Sequence, residues 1–146
     1  MKIYLDLCAI QRPLDTPNQV RIVLESEAVL GIIALCDSGQ VELLSSEALQ
    51  YEGEQNSLEV RKEHTFAVLA KAKESINVSA KENSRAAKLT TFGIKPLDAL
   101  HVALAESGKA DYFCTCDDKL LQNSKRVKDL TVKVVNPVDL VQEIEK

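Results

Sequence analysis

The 146 residues predict an α/β fold: a three-layer α/β/α sandwich with a mainly parallel central sheet of four or five strands. Three observations carry this. Short strand-like runs, at 2–7, 41–45, 111–115 and 132–135, are spread along the whole chain. Segments with helical spacing of apolar residues separate them, so the crossovers are helical and neighbouring strands run parallel. No internal repeat, low-complexity tract or linker divides the sequence, so residues 1–146 make a single domain.

The elements follow in order. KIYLDL, 2–7, alternates apolar and polar and reads as a strand until Arg12 and Pro13 interrupt. From Asn18 to Cys36, Val20, Val23, Leu24, Ala28, Leu30 and Ile33 recur at roughly helical spacing, and Asp37-Ser38-Gly39 ends the helix with turn chemistry. VELLS, 41–45, is the second strand, and Ser45-Ser46 offers an N-cap for a helix carrying Leu49, Tyr51 and Glu52. A charged helix spans about 58–74, with Leu58, Phe66, Val68, Leu69 and Ala72 as its apolar members. His64 reads there as exposed. Residues 76–78 are a short strand or connector. Ser79 caps a helix that runs to about Thr91 and stops at Gly93. Pro96 suits the first turn of the next helix, which Gly108 closes. DYFCT is a strand, 119–123 a short helix, VKVV a strand, and Asn136-Pro137 opens a terminal helix through Ile144.

Composition narrows the function classes. Hydrophobic residues make up 45% of the chain, enough for a real core, and the net charge is −4. That charge argues against tight, nonspecific nucleic-acid binding unless some of the acids surround a cation. VLGIIALC, 29–36, falls far short of a membrane span, and MKIYLDL has no signal-peptide pattern. Four cysteines without metal-type spacing point to free thiols in a reducing cytosol, hence a cytoplasmic protein. Cys114 and Cys116 read as core packing. No phosphate-cradling glycine loop, GxSxG elbow or Cys/His nucleophile arrangement is present.

The informative helix is PLDALHVALAESG, 96–108. Between Leu97 and Ala105 only Asp98 and His101 are polar, in a segment apolar enough to be buried on most sides. A buried carboxylate must be paired, hydrogen-bonded or bound to metal. Asp98 and His101 share one face; Asp98 can cap the helix, serve chemistry or do both, and His101 alone reads as a satisfied, partly buried histidine.

Asp98 joins three other acids: Asp6 after the first strand, Glu52 on the helix after the second, and Asp117 after the third. In open parallel sheets, ligands bind beyond the carboxyl ends of the strands. Clustered carboxylates repel unless protonated or neutralised by a cation. All-oxygen ligands select hard ions, Mg²⁺ or Mn²⁺, and such a site suits phosphodiester hydrolysis.

The stretches YLDLCAIQRP, LLSSEALQYE, GIKPLDALHVALAE and ADYFCTCDDKLL, with VVNPVDLV as a weaker terminal match, span nearly the whole chain. In that order they resemble the PIN-domain family, metal-dependent ribonucleases that include the VapC-type toxins of bacterial toxin–antitoxin pairs. The resemblance implies that Asp6, Glu52, Asp98 and Asp117 are catalytic, metal-binding acids, with Glu47 competing with Glu52 for the second place. It implies hydroxyls near the site at Thr115 and Ser46. Asp118 either supports a second metal position or caps the helix holding Leu120 and Leu121. Leu7 and Cys8 stand where many members have a small hydroxyl or amide residue. RNA as substrate, an antitoxin partner and a homodimer are also implied. Arg12, Lys119, Lys125, Arg126 and Lys128 either contact RNA phosphates or form a solvated basic face. Two other readings use the same acids: a catalytically silent PIN-fold binding module, and a receiver-like domain in which an aspartate accepts a phosphoryl group.

Overall fold

A computed structural model describes residues 1–146. Five parallel strands form one sheet: β1 (Lys2–Leu5), β2 (Glu42–Ser46), β3 (Glu74–Ile76), β4 (Tyr112–Cys114) and β5 (Lys133–Val135), in the spatial order β3-β2-β1-β4-β5. Eight helices flank it: α1 (Leu7–Gln11), α2 (Val20–Asp37), α3 (Glu47–Glu54), α4 (Glu59–Leu69), α5 (Ala80–Thr90), α6 (Pro96–Ser107), α7 (Asp118–Ser124) and α8 (Pro137–Glu145). The result is the three-layer sandwich expected, with helix α6 packing on α5 and α3, and α2 packing on α8.

The strand order locates the site. The chain lays β1, β2 and β3 outward in one direction, then returns to place β4 on the other side of β1. The reversal leaves a crevice at the carboxyl ends of β1 and β4, where ligands of open α/β sheets bind. This order also differs from the 2-1-3-4-5 of receiver-like folds, which removes the structural basis for that reading.

Side-chain alternation sorts the core. Tyr4 pairs in register with Leu44 and Phe113, so all three face the same side of the sheet. Tyr4 and Phe113 stack with ring centroids 5.2 Å apart. Helix α6 covers that face closely. A Cβ on Gly108, just past its end, would collide with the buried Leu44 side chain and force it to shift. Gly93 ends the preceding turn with φ +86°, a conformation that excludes most side chains.

Several boundaries differ from the sequence expectation. The first strand stops at Leu5, and Asp6 caps α1, a helix of 5 residues that the sequence pattern did not reveal. Helix α4 ends at Leu69, and the short strand or connector expected at 76–78 is a strand at Glu74–Ile76. His64 is half-buried, not exposed, with Nε2 2.8 Å from the carbonyl oxygen of Ile10. On α2 the apolar stripe Val20, Leu24 and Leu30 faces outward, whereas Glu25 is buried and bridged to Arg12 and Arg21. Cys114 and Cys116 are buried in the core, as expected. No helix is long and apolar enough to cross a membrane.

Candidate metal centre

Asp6, Glu52, Asp98 and Asp117 line one cleft of about 360 Å³, together with Leu7, Cys8, Gln11, Arg12 and Cys116. Four segments far apart in sequence therefore deliver carboxylates to one place. Three of the acids sit at helix starts, where free backbone amides favour negative charge.

Asp6 follows β1 and is nearly fully buried. Its Oδ1 accepts the backbone N–H of Leu7 (2.9 Å), which starts α1. Its Oδ2 accepts the Thr115 hydroxyl (2.9 Å) and the Cys8 thiol (3.4 Å). Burial pushes the Asp6 carboxyl up, partly offset by hydrogen bonds from the Thr115 hydroxyl and the Cys8 thiol. The thiol of Cys8 thus supplies a contact to Asp6 from the first turn of α1.

Asp117 caps α7, its Oδ1 accepting the amides of Lys119 (2.9 Å) and Leu120 (3.3 Å). Its own amide donates to the Thr115 hydroxyl oxygen (3.1 Å), so Thr115 ties Asp6 to Asp117 from a fully buried position. Asp98 lies in the first turn of α6 without capping it through its side chain. Burial pushes Asp98 up from 3.8 to about 6, reinforced by the negative charges of Asp6 and Asp117. A half-buried carboxylate among like charges, with no protein donor to compensate, leaves negative charge for a cation to neutralise.

Glu52 sits in the last turn of α3, the helix that Ser46 caps by accepting the amide of Leu49 (3.1 Å). Its Oε1 meets Nε2 of His101 at 2.9 Å, and His101 is completely buried. Asp6, Glu52 and His101 each bring a ligand-type atom within 4.8 Å of the others. Both His101 nitrogens are engaged, Nε2 with Glu52 and Nδ1 with Tyr4 (2.6 Å), so the ring supports the cleft and the oxygens face it. Glu47 is elsewhere: it is exposed and accepts the amide of Val78 (2.8 Å).

Asp118 does not line the acidic cleft. Its carboxylate takes both ends of the Arg21 guanidinium (2.8 and 2.9 Å), and Arg21 also donates to the Cys116 carbonyl. Arg12 lines the cleft, but its guanidinium is bridged to Asp15 and Glu25. Lys119 borders an adjoining recess with Lys95, Asp98 and Asp117. Neither lysine takes part in an ion pair, so both present free positive charge beside the acids. A separate depression between α7 and β5 mixes aliphatic with polar side chains, among them Asp111, Lys125 and Lys133, and has no convergent acids.

Tyr4 and Lys95 did not stand out in the sequence. Tyr4 had a signal: it precedes Asp6 by two, the spacing that puts two strand residues on one face.

The fold matches known structures over nearly its whole length. One match is VapBC2 from Rickettsia felis, solved bound to a DNA fragment from its promoter: TM-score 0.55, 17% identity, 93% of this chain and 98% of that one. Another is PAE2754 from Pyrobaculum aerophilum: TM-score 0.54, 15% identity, 99% and 96% of the two chains. No family model and no curated protein matches the sequence. At these identities the likeness is one of architecture, and the architecture is PIN-like, of the VapC type.

Proposed function

We propose that the protein is a divalent-metal-dependent endoribonuclease that hydrolyses RNA phosphodiester bonds and acts as the toxin of a type II toxin–antitoxin pair. The observation that carries this is the convergence of Asp6, Glu52, Asp98 and Asp117 on one cleft at the strand-order reversal.

The donor set fits Mg²⁺ or Mn²⁺: carboxylate oxygens dominate, and no thiolate or free imidazole competes. Asp6, Glu52, Asp98 and Asp117 would hold the ion. When bound, it would supply an activated water and charge stabilisation for an in-line displacement at phosphorus. Thr115 and the α1 amide fix the direction of Asp6, while the α7 amides fix Asp117. Lys119 and Lys95 would meet flanking RNA phosphates, offsetting the repulsion between an acidic cleft and a polyanion. Arg12 would join them only by leaving Asp15 or Glu25.

VapBC2 supports the toxin reading through shared architecture. An antitoxin, and a second copy in a homodimer, are the partners this reading implies. The outward stripe of α2, with Val20, Leu24 and Leu30, offers apolar surface for a partner chain.

The test uses wild type, Asp6→Asn and Asp98→Asn, each verified as folded, on single-stranded RNA with Mg²⁺ or Mn²⁺. Cleavage by wild type should stop in EDTA and be lost in both variants. Equal cleavage by either variant would defeat the assignment. Absence of Mn²⁺ binding by wild type at millimolar metal would instead mark a silent binding module.

A further inference from the structure

We propose that His101, held by Tyr4, is a positioning residue that fixes the carboxylate of Glu52 for metal binding. The inference rests on the metal reading above and adds to it a buried relay of hydrogen bonds.

The relay is continuous. The Ser46 hydroxyl lies 2.7 Å from the Tyr4 hydroxyl, which lies 2.6 Å from Nδ1 of His101. Nε2 of His101 lies 2.9 Å from Oε1 of Glu52. Ser46, Tyr4 and His101 are all 0% exposed, so water cannot stand in for a missing partner. The relay starts at the cap of α3 and returns to the last turn of the same helix, passing through β1 and α6 on the way.

Counting donors leaves one arrangement of protons. The amide of Leu49 already donates to the Ser46 oxygen. If the histidine proton were on Nδ1, the Tyr4 hydroxyl would have to donate to Ser46, and the Ser46 proton would be left buried without an acceptor. Nε2 would then also set a lone pair against a carboxylate oxygen. With the proton on Nε2, every group is satisfied: Ser46 donates to Tyr4, Tyr4 donates to Nδ1, and Nε2–H donates to Glu52.

Glu52 needs such a partner. Its side chain is long and 28% exposed, and the bond from His101 is its only hydrogen bond within the protein. Asp6 and Asp117 are held by helix-start amides; Glu52, near the end of α3, has no such donor. One directed N–H selects a single orientation of the carboxylate and leaves its second oxygen for the cleft. Tyr4 in turn stops the ring from rotating.

The experiment measures Mn²⁺ affinity, by electron paramagnetic resonance of the free ion, for wild type, Glu52→Gln, His101→Leu, His101→Gln and Tyr4→Phe. The His101 and Tyr4 changes are also made in the Glu52→Gln background. Removing a group that orients a metal ligand typically weakens binding about 10–100-fold, the loss expected for His101→Leu. His101→Gln, which can still donate to Glu52, should recover most of that loss. In the Glu52→Gln background neither His101→Leu nor Tyr4→Phe should weaken binding further. Tyr4→Phe keeps the ring stacked on Phe113 and carries the test if His101→Leu does not fold. Unchanged Mn²⁺ affinity in His101→Leu and Tyr4→Phe, with loss in Glu52→Gln, overturns the positioning role and leaves the nuclease reading standing. Equal losses in both backgrounds overturn it too, because the effect would not pass through Glu52. No loss in Glu52→Gln itself overturns the metal role of that acid. A nitrogen-15 spectrum of the histidine rings, with His64→Gln for assignment, should show the His101 proton on Nε2; a proton on Nδ1 refutes the relay.

Discussion

Asp98→Asn should make the metal-free protein more stable at neutral pH. The Asp98 carboxyl is pushed up from 3.8 to about 6 by burial and by the charges of Asp6 and Asp117. An acid raised by folding binds more protons in the folded than in the unfolded chain, so ionising it costs stability. The cost is absent below about 3.8, grows through the window up to about 6, and is complete above it. A shift of about two units corresponds to ~3 kcal/mol. Asp98 is only half-buried, and solvent screening reduces this to about 1–1.5 kcal/mol. Asparagine also gives up roughly 0.5 kcal/mol of favourable interaction with the start of α6. The net gain is about 0.5–1 kcal/mol, a rise in Tm of about 2–3 °C for a domain of this size. Thermal unfolding followed by circular dichroism in EDTA should show the gain at pH 7.5, a smaller one at pH 5, and none near pH 4. In millimolar Mn²⁺ at pH 7.5 the order should reverse, because the ion stabilises wild type more than the variant. A variant that melts below wild type in EDTA at pH 7.5, or that gains as much from Mn²⁺, would refute the idea that Asp98 is a strained carboxylate awaiting a cation.

Two further outcomes follow from individual contacts. Thr115→Val removes the hydroxyl that joins Asp6 to the Asp117 amide and should destabilise by about 1–3 kcal/mol and weaken Mn²⁺ binding, whereas Thr115→Ser should restore both, as read by denaturant unfolding and metal titration. Glu82, which completes the capping box of α5, is lowered from 4.5 to about 2 by the hydroxyls of Ser107 and Ser79; its contribution is complete above about 4.5 and vanishes as pH falls toward 2, so Glu82→Gln should flatten the acid limb of a stability–pH profile in that interval.

The parts of this fold that sequence periodicity exposes are those whose signals are local. Alternation in β1, the Ser46 cap, the capping box at Ser79 and Pro96 at the start of α6 each mark an element within a few residues. Helix α1 was hidden because it is little more than one turn, too short for a period to repeat, and its cap Asp6 continues the strand alternation. Helix α2 carries apolar residues nearly all round, so spacing alone cannot choose its buried face; Arg12 and Arg21 make Glu25 buriable and settle the matter from outside the periodic pattern. Asp6 and Asp117 were legible because each follows a strand, where a charge is not needed for packing, and Asp98 because it is polar in an apolar helix; Glu52, inside α3, was marked by the family resemblance. The engagement of Asp118 was not, because Arg21 lies 97 positions away and no local pattern announces it. His101 stood out as a polar residue on a buried helix, but its partners Tyr4 and Glu52 come from β1 and α3, which only the tertiary arrangement brings to it.

The strand order β3-β2-β1-β4-β5 also sets when the cleft can exist during synthesis. Its first acid is made within the opening strand–helix junction, but its last wall comes only with β4 and the start of α7, some four-fifths of the way along. No shorter N-terminal piece can enclose the four carboxylates. A growing chain therefore stays without its acidic cleft until β4 has docked beside β1.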